Sequence, residues 1–200
     1  PFEGSYSKIN VALRPQTYKD IPKEKLDSLL SIMSKFTKWS REWTYANCWH
    51  ANEYESAAMW KLYVKTNESI AIETDYQTLA KALPDKVFLG LINYIDYDTE
   101  WLPEGNSFYP LMHKRKSFEH EQEVRAIVQE LPENEIGIHT GLKNTTSGIQ
   151  IDFDANILIK CIHVSPSSPN WFYDLVNVTT KQFGFTFNVQ KSNLYSEPVF

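Results

Sequence analysis

Between Lys114 and Val128 the chain reads KRKSFEHEQEVRAIV, which crowds cations, aromatic rings and three acids directly before an apolar run. From Glu121 the order is Glu-x-Glu-x-Arg, continuing into Ala126, Ile127 and Val128. Read as a strand, this segment sends alternate side chains to opposite faces, with same-face neighbours about 6.6 Å apart. Glu121, Glu123 and Arg125 then line one wall while Val124, Ala126 and Val128 pack into a core. Such a wall presents a rigidly held carboxylate to a ligand, or it forms a plain ion-pair ladder. Glu123 and Glu121 are the candidate catalytic acids. Arg125 stands beside them, with Lys114 and Arg115 just upstream as candidate ligand-binding cations.

A second constellation falls in a helix expected over Glu53 to Lys65, with Asn52 as its cap. Met59 and Tyr63 are four residues apart and Trp60 sits beside them, so one side carries a large aromatic and thioether surface. Most of that surface reads as core. The competing reading makes Trp60 or Tyr63 a platform for a planar ring, approached past the small pair Ala57-Ala58. Glu53 and Glu55 read as solvated first-turn acids that favour the helix dipole. Cys48-Trp49-His50 and Cys161-Ile162-His163 are two Cys-x-His pairs, and their meeting would make a Cys2His2 zinc set. Their spacing matches no zinc signature, so the expectation is two reduced, metal-free thiols and no metal ligand. The seven glycines are scattered, which removes P-loop and Rossmann readings.

These residues need elements to hold them. The 200 residues, 42% hydrophobic and 22% charged, fit a single domain spanning 1–200 with a sizeable core. Leu26, Leu29, Leu30, Met33 and Phe36 recur at helical spacing over Lys23 to Phe36, after Pro22. Strands are expected at Thr44 to His50, Ser69 to Thr74 and Val87 to Tyr94. Asp75 caps a helix through Leu83, and Asp98 to Pro110 reads as a loop. Ile149 to Phe153 and Ile157 to Val164 read as a strand pair, Ser168 to Gln182 as a helix, and Phe185 to Val189 as a last strand. The class is α+β, with mixed, mostly antiparallel sheets and helices alongside. A net charge of -5 gives no basic footprint, so nucleic acid is not the expected partner. Neither a membrane-spanning stretch nor a secretory signal is visible, and two cysteines make no disulfide framework, which points to a reducing cytoplasm.

Taken in order, Cys48-Trp49, Ala58-Met59-Trp60 with Tyr63, Ile70-Ala71-Ile72, Tyr94-Ile95-Asp96-Tyr97, and Lys114-Arg115 with Phe118, Glu121, Glu123 and Arg125 resemble an uncharacterised bacterial family, domain of unknown function 2971. The opening Pro1-Phe2-Glu3-Gly4 is similar to the end of that family's Asn-Asp-Pro-Phe-Glu motif, and Val189, Ser192 and Leu194 to its C-terminal segment. The resemblance runs over nearly the whole chain and implies that the family's first strand and helix are missing. It implies no activity.

A looser similarity, to ADP-ribosyltransferases, does suggest chemistry. Those enzymes carry a Glu-x-Glu or lone Glu on a late strand and an aromatic near the nicotinamide. The resemblance implies Glu121 and Glu123 in the first role, Trp60 or Tyr63 in the second, and Lys114 or Arg115 on a pyrophosphate. NAD would be a substrate, with no cofactor bound permanently. A non-enzymatic binding or effector module, as in phage defence, and a hydrolase or nuclease are the other two classes that fit the same residues.

Overall fold

The computed structural model describes residues 3–134 and 137–196. Pro1 and Phe2 of the opening motif lie outside the described residues. The helices are α1 (Lys8–Thr17), α2 (Lys23–Glu42), α3 (Ala57–Tyr63), α4 (Tyr76–Ala82), α5 (Ala155–Leu158) and α6 (Asn170–Gln182). The strands are β1 (Thr44–His50), β2 (Ile70–Glu73), β3 (Phe88–Leu91), β4 (Asn93–Ile95), β5 (His113–Arg115), β6 (Glu123–Gln129), β7 (Glu133–Asn134), β8 (Gly137–Ile138), β9 (Cys161–Val164) and β10 (Asn188–Lys191). The class is α+β with mostly antiparallel pairing. Where composition suggests one domain, the chain packs as two compact units, residues 1–51 with 86–149 and residues 52–85 with 150–200. Among the described residues no helix is long and apolar enough to cross a membrane.

In the first unit β6 runs between β1 and β3, antiparallel to both. A central strand of a small sheet is covered from both sides, and β6 is buried from Glu123 through Val128. The expected core positions Val124, Ala126 and Val128 are indeed buried. The register sets Cys48 opposite Arg125 and His50 opposite Glu123. β4 and β5 form a parallel pair in which Tyr94 faces Lys114.

Sequence periodicity missed α1, because its buried residues are Asn10 and Arg14 rather than an apolar stripe. Ser7 caps it, accepting from the Asn10 amide. The Asn10 side chain exchanges two hydrogen bonds of 2.7 Å with the backbone N–H and C=O of Leu102, which is fully buried. Arg14 pairs with Glu104 at 3.0 Å. Polar bonding therefore ties the helix to the loop expected at 98–110, which is irregular as far as a short 3₁₀ turn at Tyr109–Leu111. The helix expected to stop at Phe36 continues as α2 to Glu42, since no breaker interrupts Thr37 to Glu42.

In the second unit β9 lies between β10, parallel, and β2, antiparallel. Ile162, Val164 and Val189 form its core, with Phe172, Tyr173 and Val176 of α6 packed on them. The strand pair expected at 149–164 does not form. Asp154 instead caps α5 by accepting from the Asn156 amide, which leaves only Cys161–Val164 extended. β10 likewise begins at Asn188, later than the expected strand at 185.

Candidate functional site

The approach to β6 differs from an uninterrupted strand. Lys116–Glu121 winds as a 3₁₀ helix, and Gln122 ends it in the left-handed region, φ 40° and ψ 52°. Glu121 is therefore not a strand residue, and the expected three-membered wall on one strand face is replaced by a folded-back arrangement. Lys114 of β5 closes it. Its ammonium donates to Glu121 at 2.5 Å and to Glu123 at 2.8 Å, and lies 3.5 Å from Glu3. Arg125 donates through Nε to Glu123 Oε1 at 2.6 Å and through Nη2 to Glu123 Oε2 at 3.1 Å, the bidentate geometry a guanidinium favours. The same Nη2 reaches Glu3 at 2.8 Å, and Nη1 donates to the Leu111 carbonyl. The Glu123 amide donates to the Tyr94 hydroxyl at 2.8 Å.

The charges are buried rather than lining an open wall. Glu123 keeps 4% of its side-chain exposure and Arg125 7%. Burial alone would push the Glu123 carboxyl up, but hydrogen bonds from Arg125, Cys48 and Lys114 outweigh it and hold the group below its ordinary range. Burial likewise opposes the charge on Lys114 and on Arg125. Their hydrogen bonds to Glu121 and Glu123, and to Glu123 and Glu3, raise both above their ordinary values. Three carboxylates (Glu3, Glu121, Glu123) against two cations leave a formal charge of -1 in the cluster.

Two β1 residues share the Glu123 face. Cys48 is exposed as a residue, yet desolvation of its thiol and a hydrogen bond to Glu123 push it up to about 11. At neutral pH it is a protonated thiol, which argues against a cysteine nucleophile. His50 donates from Nδ1 to the Glu121 carbonyl at 2.6 Å, while its Nε2 is buried without a hydrogen-bond partner among the described residues. Phe118, 38% exposed, lies with its ring 5.7 Å from the Lys114 ammonium.

The remaining expected ligand-binding residues fall elsewhere. Arg115 follows Lys114 on β5 and is exposed. Trp60 and Tyr63 belong to α3 in the second unit, not to the unit that carries Glu123. Trp60 is 9% exposed and donates its indole N–H to Glu55 at 3.2 Å, which makes it core rather than platform. Tyr63 is exposed. Glu53 and Glu55 precede α3, whose cap is Ser56 and not Asn52, so neither is a first-turn acid. Sequence reasoning passed over Glu3 and Tyr94 as site members. Tyr94 does sit in the quoted Tyr94-Ile95-Asp96-Tyr97 run, but no local pattern links it to a strand that pairs through β5.

Protein-family models, curated proteins and solved structures all show no match to this chain.

Proposed function

We propose that the first unit is an ADP-ribosyltransferase-like module of the cytoplasm that uses NAD as substrate, with Glu123 as its charge-stabilising carboxylate. The observation that carries the reading is an acid held ionised at the head of a central strand, inside a cluster with one excess negative charge. Breaking the bond between nicotinamide and ribose sends its electron pair to the departing ring and leaves positive charge on the sugar. A fixed anion that needs no reorganisation stabilises that charge. Water or a target side chain then donates an electron pair to the sugar carbon and loses a proton to solvent. Within this unit Phe118 takes the ring-stacking role first given to Trp60 or Tyr63. Arg115, exposed next to Lys114 on β5, is the cation assigned to the pyrophosphate.

A second reading has its own observation. Both Glu123 oxygens already accept from Arg125 or Lys114, as in an ion-pair core that only holds β5 and β6 together within a binding module. Incubation of the full chain with NAD separates the two. The enzymatic reading expects nicotinamide release that Glu123→Gln and Glu121→Gln abolish or cut at least about tenfold while the protein stays folded. A folded wild type that releases no nicotinamide and binds no NAD leaves the cluster structural.

A further inference from the structure

We infer that the second unit carries a divalent-cation site formed by Glu73, Cys161 and His163, of a chemistry that selects zinc. It involves none of the residues of the NAD reading and stands apart from it. It also revises, for one of the two Cys-x-His pairs, the metal-free expectation drawn from spacing.

The geometry begins with β9. Cys161 and His163 are two residues apart on this strand, so they share a face, the one opposite the Ile162 and Val164 core. β2 lies antiparallel beside it with Glu73 directly opposite Cys161. One ligand atom from each residue, thiol sulfur, imidazole nitrogen and carboxylate oxygen, lies within 4.8 Å of the others. Zinc bonds of about 2.0–2.3 Å in a tetrahedron set donor atoms roughly 3.3–3.8 Å apart, so side-chain shifts of about an ångström close the site without moving either strand. A thiolate with an imidazole and one carboxylate is a donor set suited to zinc, not to the oxygen-loving magnesium or calcium. Three protein donors leave a fourth position for water.

The surroundings fit a cation. His163 Nε2 lies 2.5 Å from Glu73 Oε2, and the metal takes the place of the proton shared between them. The ring proton then belongs on Nδ1, 3.7 Å from Glu55 Oε1, and the Gln190 amide, whose nitrogen donates to the bare Nδ1 at 3.2 Å in the metal-free protein, has to turn over and offer its oxygen instead. Glu55 is itself held by the Trp60 indole N–H at 3.2 Å and the Ser192 hydroxyl at 2.8 Å, so a carboxylate stands fixed behind the ligand ring, an arrangement that orients metal-binding histidines. Burial and then the charges of Glu73 and Glu55 raise the Cys161 thiol in the metal-free protein. A bound dication reverses that field, and the thiol proton leaves to solvent as the metal–sulfur bond forms.

The full chain, stripped by a chelator, is titrated with zinc against a chromophoric competitor, and with cobalt(II) as a spectroscopic probe. The expected result is one equivalent of tightly held metal and a thiolate-to-cobalt charge-transfer band that Cys161→Ser abolishes and Cys48→Ser retains. Cys161 is buried, so Glu73→Gln at an exposed position serves as the second variant. It should weaken zinc binding at least about tenfold with an unchanged circular dichroism spectrum. A folded wild type that takes up no stoichiometric zinc, or binding that Glu73→Gln and Cys161→Ser both leave unaltered, overturns the site.

Discussion

Glu123 is held ionised by Arg125, Cys48 and Lys114, and that places its contribution on the pH axis. Its folded pKa lies below the ordinary value of 4.5. The stability it supplies is therefore fully present above that value and is lost as the pH falls through the folded one. Glu123→Gln removes this dependence. At neutral pH the variant should be less stable than wild type by roughly 1–3 kcal/mol, since Arg125 and Lys114 lose a charged acceptor while the amide keeps the shape. Below the folded value the two should converge, and urea unfolding at a series of pH values reads the difference. A constant gap down to the acid limb would show that the carboxylate is not the titrating group. On sequence alone a transferase acid on a polar strand face lets the exchange leave stability nearly unchanged, whereas an ion pair with Arg125 makes it cost roughly 1–3 kcal/mol if the pair is buried. The pair is buried.

At the scale of elements, the decisive feature is the turn that delivers the chain into β6. Gln122 occupies the left-handed region, and its carbonyl accepts from the Ala51 amide at 2.9 Å while its own amide donates to Glu119 at 3.1 Å. That conformation costs a residue with a Cβ about 1–2 kcal/mol and costs glycine little. Gln122→Gly should thus be neutral or stabilising by up to about 1 kcal/mol, offset by the entropy of the freer unfolded chain. Gln122→Val should destabilise by at least about 1 kcal/mol, because β-branching worsens the same clash. Thermal unfolding of the two variants provides the check, and equal effects would remove the strain argument. The strand itself was legible in the sequence, since Val124, Ala126 and Val128 alternate. Its start was not, because Ser117 to Glu121 can satisfy its backbone locally as a 3₁₀ turn without disturbing the alternation that follows.

For the molecule as a whole, the chain crosses between its two units at residues 51–52, 85–86 and 149–150, so each unit is assembled from separated segments. Among the described residues β2 pairs only with β9, which follows it by some ninety positions (Ala71 pairs with His163). A chain ended after Ile149 should leave the Ala71 amide, which lies in a hydrogen-bonded pair with His163, without protection in hydrogen exchange while β1 and β6, both within the retained part, stay protected. Retained protection at Ala71 would contradict the pairing. The sequence by itself determined the α+β class, the bounds of β1, the helix after Pro22, the Asp75 cap and the grouping of Lys114, Glu121, Glu123 and Arg125, because these follow from local periodicity, capping and proximity along the chain. Only the tertiary structure decided that Glu3 and Tyr94 join that group and that Glu73 meets Cys161 and His163. Those contacts rest on strand register and on pairings across the length of the chain, which no local pattern of residues encodes.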